Sequence, residues 1–351
     1  MRNSEASPSQ HILLGDIGAT NARFALLSNG VLGPVDCFMV ADFVRFTDAV
    51  KAFLSTRSQE NASVTRALLA AAGPVERNRC VLTNCSWTIE ANELCTSFGF
   101  EEVRLFNDFE ATARSLSHLS PSDLYPLGGG RAVSDAPMAV LGPGTGLGVA
   151  CLIPGSQTDG VIAGEGGHAT MAATTPREDA IIAYLRQRFD HVSAERVVSG
   201  SGLENLYDAV AALDEVDAPK RGAAEITAAA LEGNCPTAKA ALDIFCAMLG
   251  TIAGNVALTF GARGGIYIAR GIAPRITEYL ARSEFRTRFE GKGRFRDYLQ
   301  GIPSNIIMHP VATFLGLKSI AGHKAAQANA TDGQEQIDGE FFGYSLSSRG
   351  S

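Results

Sequence analysis

The residues best suited to chemistry lie first in a short glycine-rich segment between two apolar runs. Residues 11–27 read HILL, GDIGATN and ARFALL, and the central residues are Gly15, Asp16, Ile17, Gly18, Ala19, Thr20 and Asn21. Small residues let a bulky anion approach the backbone, whose amides can then hold phosphate oxygens. An aspartate beside phosphate is typical of a bound metal ion, which makes Asp16 the candidate ligand. Taken alone, a Gly/Asn hairpin is weak evidence, because most such hairpins bind nothing.

A second segment repeats this pattern in the other half of the chain. Residues 138–154 read MAVLGPGTGLGVACLIP, again a strand, a Gly/Thr turn and a strand. The turn contains Gly142, Gly144, Thr145, Gly146 and Gly148. Two phosphate-type hairpins in corresponding places indicate an internal duplication with a nucleotide held between the halves.

Five polar side chains follow predicted strands or glycine-rich turns: Asn107, Asp108, Glu165, His168 and Glu195. In open α/β sheets, ligands bind beyond the carboxyl ends of the strands. Singly, each residue has an ordinary explanation, and a helix cap at Asp108 is as reasonable as a catalytic base. As a set beside two phosphate hairpins, they could bind a polyhydroxy ligand.

The elements that must position these residues alternate between strands and helices. Predicted strands cover 35–40, 66–72, 79–83, 103–106, 265–270 and 306–308, in addition to the two hairpins. Predicted helices include one capped by Asp42, then 89–98, one from Asp108, 177–189, 202–213, 236–260, one from Pro274, and 311–326. Residues 121–136 are rich in Pro, Gly and Ser and predict a loop. This order is typical of an α/β protein with mixed sheets.

Composition limits the classes of function. The 351-residue chain is long enough for two domains, and its net charge of −7 argues against a nucleic-acid surface. None of the seven cysteines forms a Cys-x-x-Cys pair, so reduced thiols and no structural zinc are expected. We find neither a signal peptide nor an apolar run long enough to cross a membrane, and we therefore expect no membrane partner and a cytoplasmic location.

The ordered series of motifs resembles the bacterial glucokinases of the hexokinase/actin-like ATPase superfamily. The motifs are GDIGATNAR, AGPV, TNCSW, NDFEATA, LGPGTGLGVA, GEGGHA, HVSAERVVSGSGL and GGIYIARGIAPR, between about residues 12 and 322. The resemblance implies a two-lobed ribonuclease H-like/actin-like ATPase fold with duplicated mixed sheets and an interlobe cleft. We expect a small domain of 11–108 plus 311–326 and a large domain of 109–310. Residues 1–10 and 327–351 are expected to be a flexible N-terminus and a mobile tail.

The same resemblance implies an activity, ATP-dependent phosphorylation of D-glucose at its 6-hydroxyl to give glucose 6-phosphate and ADP, the first step of glycolysis. It assigns residues 15–21 and 144–146 to the phosphates, Gly271 to the adenosine and Asp16 to Mg²⁺. Asp108 corresponds to the catalytic base. The sugar ligands correspond to Asn107, Asp108, Glu165, His168 and Glu195. A homodimer is the assembly that the family leads one to expect.

Some positions depart from the family pattern. Arg270 stands next to the nucleotide where the family usually has a second glycine, Ala19 replaces a usual glycine, and Ser201 a usual proline. No cysteine-rich zinc motif follows His168, which favours the zinc-free branch. Two alternatives stay open: a kinase for another hexose, such as mannose, fructose or an N-acetylhexosamine, and a non-catalytic sugar-sensing relative.

Overall fold

A computed structural model describes residues 11–57, 64–82, 85–155 and 159–331, with side chains as far as residue 322. The predicted N-terminal segment 1–10 lies outside the described residues, as does the tail from residue 332 onward. The predicted tail began at residue 327, but residues 327–331 continue the last helix, so this boundary was wrong.

The described strands are β1 His11–Ile17, β2 Asn21–Ser28, β3 Val31–Leu32, β4 Asp36–Met39, β5 Val64–Ala71, β6 Val75–Glu76, β7 Arg79–Val81, β8 Thr88–Glu90, β9 Glu102–Asn107, β10 Leu124–Gly128, β11 Met138–Pro143, β12 Leu147–Ile153, β13 Gly160–Gly164, β14 Gly265–Ile268 and β15 Ser304–Ile307. The described α-helices are α1 Phe46–Ser55, α2 Ala91–Phe98, α3 Asp108–Arg114, α4 Pro176–Arg186, α5 Gly200–Leu213, α6 Ala223–Glu232, α7 Pro236–Phe260, α8 Thr277–Arg282, α9 Phe285–Glu290, α10 Arg296–Gln300 and α11 Ala312–Thr331.

Two six-stranded mixed sheets repeat one plan. In the first, β1 pairs antiparallel with β2 and parallel with β5, which pairs parallel with β9. In the second, β11 pairs antiparallel with β12 and parallel with β14, which pairs parallel with β15. The predicted duplication of mixed α/β sheets is therefore confirmed. The parallel strands of each sheet end on the same side, where the predicted site residues follow.

Each sheet has its own core. On one face of the first sheet an aromatic cluster includes Phe24, Phe53 and Trp87, and on the other α11 packs through Phe314 and Leu317. The largest core surrounds α7 and the second sheet. Helix α3 contacts both α11 and β12, so it lies where the two halves meet. This packing supports the proposed division into 11–108 plus 311–326 and 109–310, since α11 returns to the first sheet.

Helix α7 corrects the sequence-based statement that no apolar run is long enough to cross a membrane. It has 25 residues and contains an 18-residue window with a mean hydropathy of 1.7, so by length and composition alone it could cross a membrane. However, 78% of its apolar window is buried inside the structure. A core helix of a folded protein meets the same criteria, and the packing of α7 is that of a core helix.

Other local predictions were wrong in instructive ways. Asp42 lies in a 3-10 turn and does not cap α1, whose N-cap is Arg45. The predicted loop 121–136 contains β10, which pairs with β15 at the sheet edge. A 3-10 turn, and not an α-helix, begins near Pro274. The strand predicted over 79–83 ends at Val81, and residue 83 lies outside the described residues. Helices α6, α9 and α10 were missed.

Candidate active site

The first glycine-rich hairpin joins β1 to β2, and its tip consists of Gly18, Ala19 and Thr20. The Gly18 amide closes the turn by donating to the Asn21 carbonyl at 2.9 Å. The remaining predicted loop residues lie in strands, with Gly15, Asp16 and Ile17 in β1 and Asn21 in β2. The Ile17 side chain is buried in the core, so only its backbone could face a ligand. The tip therefore offers small residues, free space and one hydroxyl.

The tip of the second hairpin, residues 144–146, lies against two other segments. The Gly200 amide at the start of α5 donates to the Gly144 carbonyl at 2.8 Å. The Ile272 amide donates to the Pro143 carbonyl at 3.1 Å, and a Cβ on Gly271 would lie 1.8 Å from that same oxygen. Helix N-termini favour anions because their amides point outward. Gly271 and the N-terminus of α5 thus border the second hairpin tip.

Two glycines of this hairpin have a packing role that the sequence did not reveal. A Cβ on Gly142 or Gly148 would lie 2.3 or 2.0 Å from the ring of Phe109. These positions must be small because the ring packs directly on the hairpin, and not because an anion approaches them. Phe109 follows Asp108, so the contact fixes the start of α3 against the second half of the molecule.

Asn107 and Asp108 have distinct roles at the start of α3. The helix cap is Asn107, whose Oδ1 accepts the amides of Phe109 at 2.9 Å and Glu110 at 3.3 Å. Its Nδ2 donates to the Gly73 carbonyl at 3.2 Å. The interpretation of Asp108 as the cap was therefore wrong. Asp108 is the first residue of the helix and is 8% exposed.

A single guanidinium links Asp108, the predicted base, to Asp16, the predicted Mg²⁺ ligand. Nη1 of Arg270 donates to Oδ2 of Asp108 at 2.7 Å, and Nη2 donates to Oδ1 of Asp16 at 2.9 Å. Nη2 also contacts the hydroxyl of Thr313. Arg23 lies on the other oxygen of Asp16, at 3.6 Å. The structure therefore brings Asp16 and Asp108 together, although they are far apart in the sequence.

Burial raises the pKa of Asp108 above its usual value; the Arg270 guanidinium opposes this shift, and the negative charge of Asp16 adds to it. Burial alone would lower the pKa of Arg270, but Asp16 and Asp108 outweigh it and raise that pKa. Arg270 is therefore a permanent cation beside a carboxylate with raised basicity, an arrangement suited to general-base work.

The three predicted sugar ligands of the second half lie on turns around the second hairpin. Oε2 of Glu195 accepts the Leu147 amide at 2.8 Å, and a Cβ on Gly146 would lie 2.4 Å from that oxygen. The side chains of Glu165 and His168 are 72% and 62% exposed, with 4.0 Å between Oε2 and Nε2. The two turns that carry these residues are joined by the hydrogen bond from the Ala194 amide to the Ala169 carbonyl, at 2.9 Å. Glu165 and His168 are therefore open to solvent, and the partly buried Glu195 lies on the adjoining turn.

The donor set around Asp16 fits Mg²⁺ bound together with a nucleotide. Among the described residues no group of three or more His, Cys, Asp or Glu side chains could hold a metal ion by itself. Mg²⁺ characteristically takes one or two carboxylates and completes its shell with phosphate oxygens and water. Asp16, 8% exposed and next to the hairpin tip, can supply that one carboxylate.

Sequence reasoning missed two residues of the cluster. Arg270 was noted only as a departure near the nucleotide, and Thr313 was not considered. A lone arginine after a strand gives no sign of its distant partners, because those contacts depend on how the two sheets face each other.

Comparison with known proteins identifies the family of the chain. A family model described as Glucokinase matches residues 13–324. A glucokinase of Paramagnetospirillum magneticum is 46% identical over 315 residues, covering 89% of this chain and 98% of the relative. A glucokinase of Nitrobacter hamburgensis is 41% identical over 308 residues, covering 88% and 96%.

Solved structures give the same result. The crystal structure of a glucokinase from an Antarctic psychrotroph superposes with a TM-score of 0.79 at 36% identity, and the match covers 89% of this chain and 98% of that one. The architecture is the two-lobed ATPase fold implied by the motifs. With the family match spanning both sheets and both hairpins, the chain belongs to the glucokinase family and is an ATP-dependent hexose kinase.

Proposed function

We propose that this enzyme transfers the terminal phosphoryl group of ATP to the 6-hydroxyl of D-glucose with Asp108 as the general base. The observation that carries this assignment is the position of Asp108. It is nearly buried, lies at the end of β9, and is tied through one guanidinium to the hairpin that carries Asp16. A polyhydroxy substrate at the strand ends would meet this carboxylate and the polar turns of the second half.

Asp108 would orient the 6-hydroxyl and accept its proton as the hydroxyl attacks the phosphorus. Phosphoryl transfer passes through a loose transition state, so positioning and charge stabilisation matter more than strong basicity. Burial is the main reason that the pKa of Asp108 is raised, and the raised pKa makes this carboxylate a better proton acceptor than an ordinary aspartate. The proton would stay on Asp108 until glucose 6-phosphate and ADP are released, and it would then pass to solvent, which returns the carboxylate to its ionised form.

The nucleotide would lie between the two hairpins. Backbone amides at 19–20 and 145–146, with the hydroxyls of Thr20 and Thr145, are the groups available to its phosphates, because the amides of Gly18 and Gly144 already donate to carbonyls within the two turns. The N-terminus of α5 adds a favourable dipole. Mg²⁺ held at Asp16 would supply charge neutralisation on the phosphates. Gly271, which the resemblance assigns to the adenosine, lies beside the second tip, and it must be glycine because a Cβ there would collide with the Pro143 carbonyl.

Glu165, His168 and Glu195, with Asn107, are proposed to bind the sugar hydroxyls. A site of this kind rejects a sugar that leaves its polar groups unpaired. Asn107 already caps α3 through Oδ1, which leaves its Nδ2, now on the Gly73 carbonyl, as the group that could turn to a hydroxyl. The hydrogen bond from the Leu147 amide already orients the carboxylate of Glu195.

An assay of ADP release with a panel of sugars tests this proposal. The purified protein with ATP and Mg²⁺ is expected to use glucose with a clearly higher kcat/KM than mannose, fructose or N-acetylglucosamine, and to form glucose 6-phosphate. Equal efficiency on all sugars would contradict the proposed hydroxyl ligands. No turnover with any sugar by folded protein would contradict the kinase assignment itself. A cytoplasmic location and a homodimer stay predictions from the resemblance.

A further inference from the structure

Arg270 occupies an unusual backbone position at the edge of the cleft. It follows β14 by two residues and has a φ of 60°, in the left-handed region that side chains with a Cβ rarely adopt. The next residue, Gly271, also has a positive φ of 58°. A non-glycine residue held in this conformation is disfavoured unless its side chain makes compensating contacts, so the contacts of the guanidinium need explanation.

Those contacts all reach across to the other half of the molecule. Arg270 extends from the second sheet. Asp16 lies in β1 and Asp108 follows β9, both of the first sheet, and Thr313 lies in α11, which packs on that sheet. The Arg270 side chain is 30% exposed, and the side chains of the two aspartates are 10% and 11% exposed. The face of the Phe109 ring lies 5.8 Å from the guanidinium carbon.

The planar fork of arginine suits this arrangement. Its two terminal nitrogens each hold a different carboxylate, so the separation and orientation of Asp108 relative to Asp16 are fixed by one rigid group. A lysine ammonium is a single point and could not hold both carboxylates with the same geometry. Without Arg270, the nearly buried Asp108 would lose its ion pair, and Asp16 would keep only the longer contact with Arg23 at 3.6 Å.

We propose that Arg270 is a positioning residue for phosphoryl transfer, which fixes the Asp108 carboxylate relative to the nucleotide hairpin at Asp16. This inference rests on the roles given to Asp108 and Asp16 under the proposed function. It gives a role in the reaction to a residue that the sequence motifs left without one. The guanidinium acts on the reaction through the two carboxylates that it holds.

The test compares Arg270→Gly, Arg270→Ala and Arg270→Lys with the wild-type enzyme. Arg270→Gly removes the guanidinium and also relieves the positive φ, so its backbone has no new reason to misfold. Arg270→Ala removes the same side chain but retains the strained conformation. We expect kcat of the glycine variant to fall by about 10²-fold, the usual effect of a small misplacement of a reacting group. Its glucose affinity, measured by calorimetry without nucleotide, should change by less than about threefold, within ordinary context effects for a group that does not contact the sugar.

Two rescue experiments distinguish a positioning role of Arg270 from a purely structural link between the two halves of the molecule. Arg270→Lys should recover part of kcat, because one carboxylate keeps a counter-ion. Free guanidinium at low millimolar concentration should raise kcat of Arg270→Gly severalfold and leave the wild type unchanged. The matched control is Arg23→Ala, which removes a guanidinium that lies 3.6 Å from Asp16 and, among the described residues, is not a partner of Asp108. Its kcat should stay within about threefold of wild type, as expected for a half-exposed ion pair.

Two outcomes overturn the inference. One is a glycine variant with wild-type kcat. The other is a loss of turnover that parallels a loss of folded protein in a thermal melt and does not respond to guanidinium, which would make Arg270 a structural tie between the lobes. Either result leaves wild-type glucose phosphorylation intact, whereas failure of the proposed function would appear in the wild-type protein itself.

Discussion

Two arginine–carboxylate clusters in this molecule contain the same kinds of group, yet the pKa of the carboxylate is raised in one and lowered in the other. In the cleft, Arg270 divides its fork between Asp16 and Asp108. In the large lobe, Arg288 of α9 places both terminal nitrogens on one carboxylate, that of Glu178 in α4, at 2.6 and 3.0 Å. The Thr174 amide adds a third donor to Glu178 at 2.7 Å. In the first cluster two carboxylates share Arg270, with Arg23 as a more distant second cation on Asp16 at 3.6 Å, whereas in the second one guanidinium serves one carboxylate.

The pKa directions follow from this difference. Burial alone would raise the pKa of Glu178, but the Arg288 fork and the Thr174 donors hold it below its usual value. Burial also raises the pKa of Asp108, and there the shared Arg270 fails to reverse the effect, because Asp16 pushes the pKa upward as well. A fully committed guanidinium thus makes a carboxylate a stable anion, and a shared one leaves it able to take a proton. The first property serves stability and the second serves catalysis.

The largest effect is expected from Asp108→Asn. Turnover should fall by about 10²–10⁴-fold, the usual contribution of a general base. The helix should be unaffected, because Asn107 accepts the capping hydrogen bonds of α3. Steady-state assays with glucose give kcat, and a thermal melt with a calorimetric glucose titration provides the control for folding and binding. A stable, glucose-binding variant with near-normal turnover would remove Asp108 from the mechanism.

The complementary change, Glu178→Gln, should act on stability instead of turnover. It leaves Arg288 as a buried cation without its anion, and breaking such a pair costs about 3 kcal/mol or more. The urea midpoint should fall, while kcat per folded enzyme stays at the wild-type value. Arg177→Ala is the matched control: the neighbouring residue pairs with Asp214, both side chains are more than a third exposed, and the loss should be below about 1 kcal/mol. If both variants lost the same amount of stability, the buried Arg288–Glu178 pair would contribute no more than the exposed pair.

The two clusters also mark the limit of sequence reasoning. Local patterns predicted both hairpins, the strand into Asp108 and helix α7, because periodicity and turn residues determine these features within a short stretch. Asp16 and Asp108 were predicted through their motifs. Arg270 with Asp108, and Arg288 with Glu178, are contacts over 162 and 110 residues, which no local pattern encodes.

The same limit explains smaller errors. β10 lies in a Pro/Gly-rich segment, and its identity as a strand comes from pairing with β15 far along the chain. Gly142 and Gly148 have the composition of a phosphate turn, yet their small size is required by Phe109. Composition indicates that space is needed at such a position, but not which neighbour occupies it.

A smaller effect is expected at the other carboxylate of the cleft. Asp16→Ala should reduce Mg²⁺-dependent turnover by about 10–10²-fold and raise the Mg²⁺ concentration needed for half-maximal rate. Glucose affinity without nucleotide should stay near normal, since Asp16 belongs to the nucleotide hairpin. Varying Mg²⁺ at fixed ATP measures the first effect, and calorimetry measures the second. An unchanged Mg²⁺ requirement would assign the metal elsewhere, and a lost glucose site in folded protein would contradict the role of this hairpin.

The smallest expected effect is on how the stability of the protein depends on pH, and it involves the Glu178–Arg288 cluster alone. Because the pKa of Glu178 is lower in the folded protein than in the unfolded chain, its ion pair contributes stability above the unfolded pKa, about 4.3. That contribution is lost as the pH falls through the lower folded pKa. Glu178→Gln is neutral at every pH, so other titrating groups cancel when the two proteins are compared. Urea midpoints of wild type and variant at pH 7, 5, 4 and 3.5 should converge as the pH falls. A gap of constant size would show that the Arg288 fork stabilises the lobe by packing and hydrogen bonds and not through the charge of Glu178.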